Sequence, residues 1–291
     1  MLPLIGITVG DPKGIGPEIA EAACCDPKIH SLCKIQIITP RENPYIALER
    51  ASHLCLTGNI DALVTGPVHK ENMRHYTHKK FLGHTEFLKT TCEKFYKKSF
   101  QPTMLFVSNV HRLALVTTHL PLQKVSQNIT KPRLQKIILN VHKSLQQDFG
   151  IPRPTIAVLG LNPHAGEGGL LGNEEIKVIT PTLGWAKKRG LHVSGPFSAD
   201  SFFAVHWGRF DAVIAQYHDQ GLTVFKALHF HHAVQMTLGL PIIRTSVDHG
   251  VGYDIAKKKI ANPESMKRAI LLAIDLVKRR KHVLRKSTDF S

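Results

Sequence analysis

The chain has 291 residues, of which 43% are hydrophobic and 21% charged, with 21 Gly and 17 Pro; this globular usage excludes a disordered or fibrous protein. Lys and Arg outnumber Asp and Glu by 38 to 22, a formal net charge of +16, and such a field attracts anions, either nucleic acid or phosphorylated metabolites. The basic residues are scattered apart from the run 278–281, and aromatics make up 7%, so the chain lacks the interleaved basic and aromatic stripe of a nucleic-acid binder.

From the N-terminus, Leu2–Val9 reads as a buried strand running into a Gly- and Pro-containing loop, followed by a helix from Pro17 to Cys25. Pro17 suits a first helical turn, where its missing N–H is not needed. Lys34–Thr39 and Ala62–Thr65 are short apolar strands flanking a helix over Pro44–Leu56, and a further helix is expected over Thr85–Phe95. Thr103–Ser108 and Arg112–Thr117 read as adjacent strands. The clearest helix is Thr130–Phe149, where Leu134, Ile137, Ile138, Val141, Leu145 and Phe149 form one stripe and Gly150 stops it. Thr155–Gly160, Ala212–Gln216, Ala233–Thr237 and Ile242–Ser246 are short strand patterns that run into polar or Gly-rich loops, and Pro263–Arg280 is a last amphipathic helix. Alternating strands and helices predict an α/β protein with largely parallel sheets.

No apolar run reaches the ~20 residues of a membrane span, and the N-terminus has no leader pattern. The five cysteines (Cys24, Cys25, Cys33, Cys55, Cys92) contain no CxxC pair, so neither a disulfide framework nor a thiolate zinc site is indicated. The expectation is a soluble, reduced, cytoplasmic protein with no membrane and no nucleic-acid partner.

In parallel α/β sheets function gathers in loops at the carboxyl ends of strands, and three such loops each carry a histidine: His119 in TTHLP, His164 in LNPHAGEGG and His218 in QYHDQG. One strand-end histidine is commonly a satisfied structural residue; three with an open position can hold a catalytic divalent metal. Asp219 or Asp200 could orient a ligand or take a proton, although Asp200 could equally be a helix N-cap. Gly83-His84-Thr85 opens a helix whose amides could face a phosphate or merely cap it. Lys226 follows His218 by two helical turns. Arg244 interrupts an apolar strand, where a buried guanidinium needs an anion or carboxylate partner. The nucleotide fingerprints fail: Gly14-Ile15-Gly16 has Ile19 at the third glycine position, and neither a P-loop nor a nucleophile elbow occurs.

Together, GDPKGIGPEIA, VTGPVHK, GHTEFL, VTTHLPL, LNPHAGEGG, YHDQGL and TLGLPIIRTSVDHG resemble, in order and context, the loops of the 4-hydroxythreonine-4-phosphate dehydrogenase family. The resemblance covers nearly the whole chain. It implies two α/β/α domains with mostly parallel sheets, isopropylmalate dehydrogenase-like, with a cleft between them; we place these at 1–86 plus 245–291 and at 87–244. It implies a homodimer with its active site at the interface. It also implies NAD- or NADP-dependent oxidation of the 3-hydroxyl of 4-phosphooxy-L-threonine with one divalent metal (Zn, Mg or Co), then decarboxylation to 3-amino-2-oxopropyl phosphate on the way to pyridoxal phosphate.

Carried over position by position, His119, His164 and His218 become the metal ligands. His84, Thr85, Lys226, Gln235 and Arg244 become substrate contacts, and Asp254 and Asn262 cofactor contacts; either Asp219 or Asp200 is the base. Three features depart from the family pattern. Gln235 stands where the family has Asn, the stretch Pro40–Ile46 is shorter by a few dozen residues, and Lys257-Lys258-Lys259 replaces a Gly-Lys-Gly, which an NADP 2′-phosphate would suit. A dehydrogenase for another 4-phosphorylated hydroxy acid, such as a four-carbon sugar-acid phosphate, is the alternative.

Overall fold

The short β-branched runs and the amphipathic stretches between them form the expected alternation in a computed structural model that describes residues 2–39, 43–77, 81–230 and 232–288. The chain divides into two compact units, Met1–Pro102 with His231–Ser291, and Thr103–Phe230.

The first unit contains β1 (Leu4–Thr8), α1 (Gly16–Cys24), α2 (Pro27–Leu32), β2 (Lys34–Ile37), α3 (Pro44–Leu56), β3 (Ala62–Thr65), α4 (Lys70–Thr77) and α5 (His84–Tyr96). After the second unit it gains β9 (Val234–Leu238), β10 (Arg244–Val247) and α11 (Glu264–Thr288). Its strands lie in the order β2-β1-β3-β10-β9, all neighbours parallel except the antiparallel β10–β9 pair. Met266, Ala269, Ile270, Ala273, Ile274 and Val277 of α11 are buried at helical spacing, the stripe that seats a surface helix on a sheet. Leu88 and Cys92 of α5 share a core with Leu48, Leu63 and Ile242.

The second unit contains β4 (Thr103–Val107), β5 (Arg112–Leu115), α6 (Val125–Asn128), α7 (Lys131–Gln147), β6 (Thr155–Leu159), α8 (Thr180–Lys187), β7 (His192–Phe197), α9 (Ala199–Val205), β8 (Ala212–Ala215) and α10 (His218–His229). Its order is β4-β5-β8-β6-β7, with only β4–β5 antiparallel. The α7 stripe read from the sequence is buried at Leu134, Ile137, Ile138, Val141 and Leu145. Phe202 and Phe225 are fully buried, each contributing roughly 1.5–3 kcal/mol of hydrophobic stabilisation.

This division differs from the expected domain limits at 86/87 and 244/245 because α5 shares the core under β3 and because β9 pairs with β10. Strand β7 was not anticipated: Gly195 and Pro196 interrupt its pattern, and proline is tolerated there because β7 lies at the end of the order. Among the described residues no helix is long and apolar enough to cross a membrane.

Candidate active site

The strand order of the second unit explains why its three histidine loops belong together. Strands β5, β8 and β6 are consecutive neighbours in the sheet, and the loops leaving their carboxyl ends carry His119, His218 and His164. Hydrogen bonds join these loops. Thr117 Oγ1 and N–H donate to Gln216 O at 2.8 and 3.0 Å. Gln220 Oε1 accepts from Gln216 N–H at 2.8 Å, while its Nε2 donates to Gly160 O at 2.7 Å. Thr117, Gln216 and Gln220 escaped the sequence reading, since a glutamine that satisfies backbone groups has no signature of its own.

The structure brings two of the three imidazoles together, the His119 and His218 ring centroids being 5.7 Å apart. His218 Nδ1 lies 2.6 Å from Asp219 Oδ1, the pairing that fixes which ring nitrogen faces outward. His164 is exposed on the loop Pro163–Gly169, where residues 164–168 all have positive φ, from 42° to 80°. Left-handed backbone costs roughly 1–2 kcal/mol for each non-glycine residue, and His164, Ala165 and Glu167 all adopt it. Gly166 is required there, because a Cβ on it would come within 2.7 Å of Glu175 Oε2. The buried Glu175 holds the loop, with Oε1 accepting from Leu161 N and Asn162 N at 2.7 and 2.8 Å and Oε2 from Asn162 Nδ2 at 2.9 Å. Among the described residues no cluster of three His, Cys, Asp or Glu side chains is close enough to hold a metal. The donor type suits a divalent metal, and two of the three donors are adjacent.

Asp200 is not an N-cap; it lies in the first turn of α9, with Ser198 in the capping position. Its carboxylate accepts from Ser198 Oγ at 2.5 Å. That bond first, then the Ser201 amide and the nearby charge of His164, hold its pKa below the usual carboxylate range. Lys226 is half-buried in the third turn of α10.

In the first unit, Arg244 is 3% exposed. Its Nε and Nη2 donate to Thr65 Oγ1 at 3.1 and 2.7 Å, and Nη1 donates to Thr237 Oγ1 at 3.2 Å and to Gln235 Oε1. All of these acceptors are neutral. Burial pushes the guanidinium pKa down to about 9, with the charge of Glu86 opposing the shift. His84, the first residue of α5, is held well below the usual imidazole value by burial and then by the charges of Arg244 and Lys70. Thr85 follows it in the first turn of α5, behind Gly83 at φ 149°.

Asp254 is exposed in the turn after Tyr253. The Tyr253 hydroxyl donates to Asp11 Oδ2 at 2.5 Å and accepts from Asn72 Nδ2 at 2.8 Å. Glu18 accepts the amides of Lys257 and Ala261 at 3.1 and 3.3 Å, which fastens this loop to α1. Asn262 Oδ1 accepts from Glu264 N at 2.9 Å, so its side chain caps the start of α11.

An isocitrate dehydrogenase from Methylococcus capsulatus superposes with TM-score 0.59, covering 96% of this chain and 87% of that one at 14% identity. A 4-hydroxythreonine-4-phosphate dehydrogenase from Klebsiella pneumoniae superposes with TM-score 0.79 at 30% identity, covering 94% of this chain and 99% of that one. In sequence, an enzyme of that name from Desulforapulum autotrophicum is 37% identical over 327 residues, spanning 93% of this chain and 94% of the relative. The family model described as pyridoxal phosphate biosynthetic protein PdxA matches residues 38–273. The chain belongs to this family. An alignment of 327 positions exceeds the 291 residues here, so the relative carries residues with no counterpart in this chain. The expected place of the shortening, Pro40–Ile46, includes residues 40–42, which lie outside those described.

Proposed function

We propose that the protein is an oxidoreductase that oxidises the 3-hydroxyl of 4-phosphooxy-L-threonine with NAD or NADP and a divalent metal, the keto acid then losing carbon dioxide to give 3-amino-2-oxopropyl phosphate for pyridoxal phosphate synthesis. The observation that carries this reading is Arg244, a buried cation held entirely by neutral oxygens. Burying such a charge is costly unless an anion joins it, and a phosphorylated hydroxy acid supplies two.

In this reading Arg244, Lys226 and the first turn of α5 at His84 and Thr85 neutralise the substrate phosphate and carboxylate. His84, kept neutral by its surroundings, hydrogen-bonds without adding charge. His119, His164 and His218 are the metal ligands, supported by their donor type and by the approach of two of the rings. A bound metal would supply Lewis acidity at the reacting hydroxyl. Asp219, in contact with His218, orients that imidazole. Asp200 stays ionised, because Ser198 stabilises its charge. Asp254 and Asn262 flank the loop that takes the cofactor, and the protein works as a cytoplasmic homodimer.

Nicotinamide reduction followed by absorbance with 4-phosphooxy-L-threonine, after chelation and with Zn, Mg or Co restored, tests this reading. Metal-dependent turnover is expected. Turnover only with a four-carbon sugar-acid phosphate would move the protein to the alternative substrate, and equal rates with and without metal would remove the histidine assignment.

A further inference from the structure

Sheet register places five polar side chains on one face of the central strands of the first unit. In β10, Arg244 and Ser246 are two apart and therefore point the same way. Ser246 is paired with Gln235 of β9 on one side and with Thr65 of β3 on the other. Thr237, two residues from Gln235, shares that face. Each of the five is at most 5% exposed, so none is satisfied by bulk water.

Within this patch every polar atom of Gln235 is engaged by the protein. Its Oε1 accepts from Arg244 Nη1 and from Ser246 Oγ at 2.8 Å, and its Nε2 donates to Met236 O at 3.1 Å and Thr237 Oγ1 at 3.5 Å. Arg244 is gripped from both edges, by Thr65 at Nε and Nη2 and by Gln235 and Thr237 at Nη1. Of its five N–H groups, this leaves one, on Nη2, to give to a ligand. The chemistry of the grip also matters. An amide oxygen fixes the guanidinium without cancelling its charge, whereas a carboxylate in the same place would form an internal ion pair and remove the attraction for an external anion.

We propose that Gln235 is a positioning residue, a neutral clamp that orients the Arg244 guanidinium toward an anionic oxygen of the substrate and acts on that anion only through Arg244. This rests on the reading that Arg244 takes a substrate anion, and it withdraws Gln235 from the direct contacts expected of it.

The test uses the full-length protein labelled with 15N at arginine, with the Arg244 side-chain signals assigned by their disappearance in Arg244→Lys. The wild type is expected to show separate, slowly exchanging Nη signals, and thermal-shift titrations with inorganic phosphate and with acetate show which anion it binds. In Gln235→Ala the Nη signals should merge as the guanidinium rotates freely, and affinity for the bound anion should fall about tenfold. In Gln235→Glu, which is isosteric, the signals should stay separate and the melting temperature should hold, while anion affinity falls at least tenfold; this variant decides the matter should the alanine form fail to fold. Loss of affinity in Gln235→Ala with the Nη signals unchanged would make Gln235 a direct contact and overturn the proposal. So would undiminished anion affinity in Gln235→Glu, or a wild type that responds to neither anion. A wild type that binds phosphate or acetate yet does not turn over 4-phosphooxy-L-threonine would instead overturn the proposed substrate and leave the clamp standing.

Discussion

The two units hold their candidate functional groups in opposite ways. In the first, Arg244 sits in the middle of a sheet, fully buried, with its geometry dictated by strand register and four hydrogen bonds. In the second, His119 and His164 are exposed on loops, His218 is half-buried, and only two of the three imidazoles adjoin. A cation that must be desolvated before its ligand arrives is built into the scaffold, where the folding of the whole unit stabilises it. The candidate ligands of the second unit are placed on loops whose backbones are fastened by Gln220, Gln216 and Glu175, with Asp219 holding the His218 ring. The first arrangement is preorganised; the second is assembled.

The contrast can be tested most severely at Arg244. Arg244→Ala should lower kcat/KM for the phosphorylated substrate about a thousandfold, on the order of 4 kcal/mol; a loss below tenfold would show that the buried cation serves the fold alone. Next, His218→Ala should weaken divalent-metal retention by at least the roughly hundredfold that even outer partners of a metal site can cost, measured as metal bound per chain after dialysis. Gln220→Leu touches no ligand but severs the tie from Gln216 N to Gly160 O. It should weaken metal retention by roughly tenfold, and no change would mean that the loops hold their places without it.

The smallest effect is the pH response of His84. Its pKa is depressed in the folded protein, so below about pH 6.5 the unfolded chain takes up a proton that the native state refuses. Stability contributed by neutral His84 is therefore present above that pH and is lost as pH falls toward the folded pKa. The melting temperature of the wild type should drop below pH 6.5, and that of His84→Gln should drop less. Parallel curves would take this imidazole out of the acid response.

What could be read in the sequence followed from pattern strength. Strands of β-branched residues and the long stripe of α7 announce themselves because burial imposes their periodicity, and Arg244 stood out because a charge inside an apolar strand contradicts that periodicity. The three histidines were visible for the same reason, each directly after an apolar run. Short polar helices such as α2 and α4 have no stripe to see. Glu175 and Gln220 were invisible because they act on backbone groups: Glu175 on Leu161 and Asn162 of the loop after β6, and Gln220 on Gly160, a relation that exists only once β6 and β8 are neighbours. Asn262 shows another limit: an amide suited to a ligand is equally suited to a helix cap, and in the structure it caps α11.

The left-handed run at residues 164–168 has a consequence for how this scaffold can be altered. Three non-glycine residues there hold several kcal/mol of backbone strain by the usual cost of that conformation, and one carboxylate, Glu175, ties down the neighbouring amides that lead into it. The imidazole of His164 is thus set by a residue that need never touch a ligand. Changes at Glu175 or Ala165 would retune the loop as a dial does, shifting the ring while leaving its chemistry intact, and in comparing homologues these positions should be read together with the histidine.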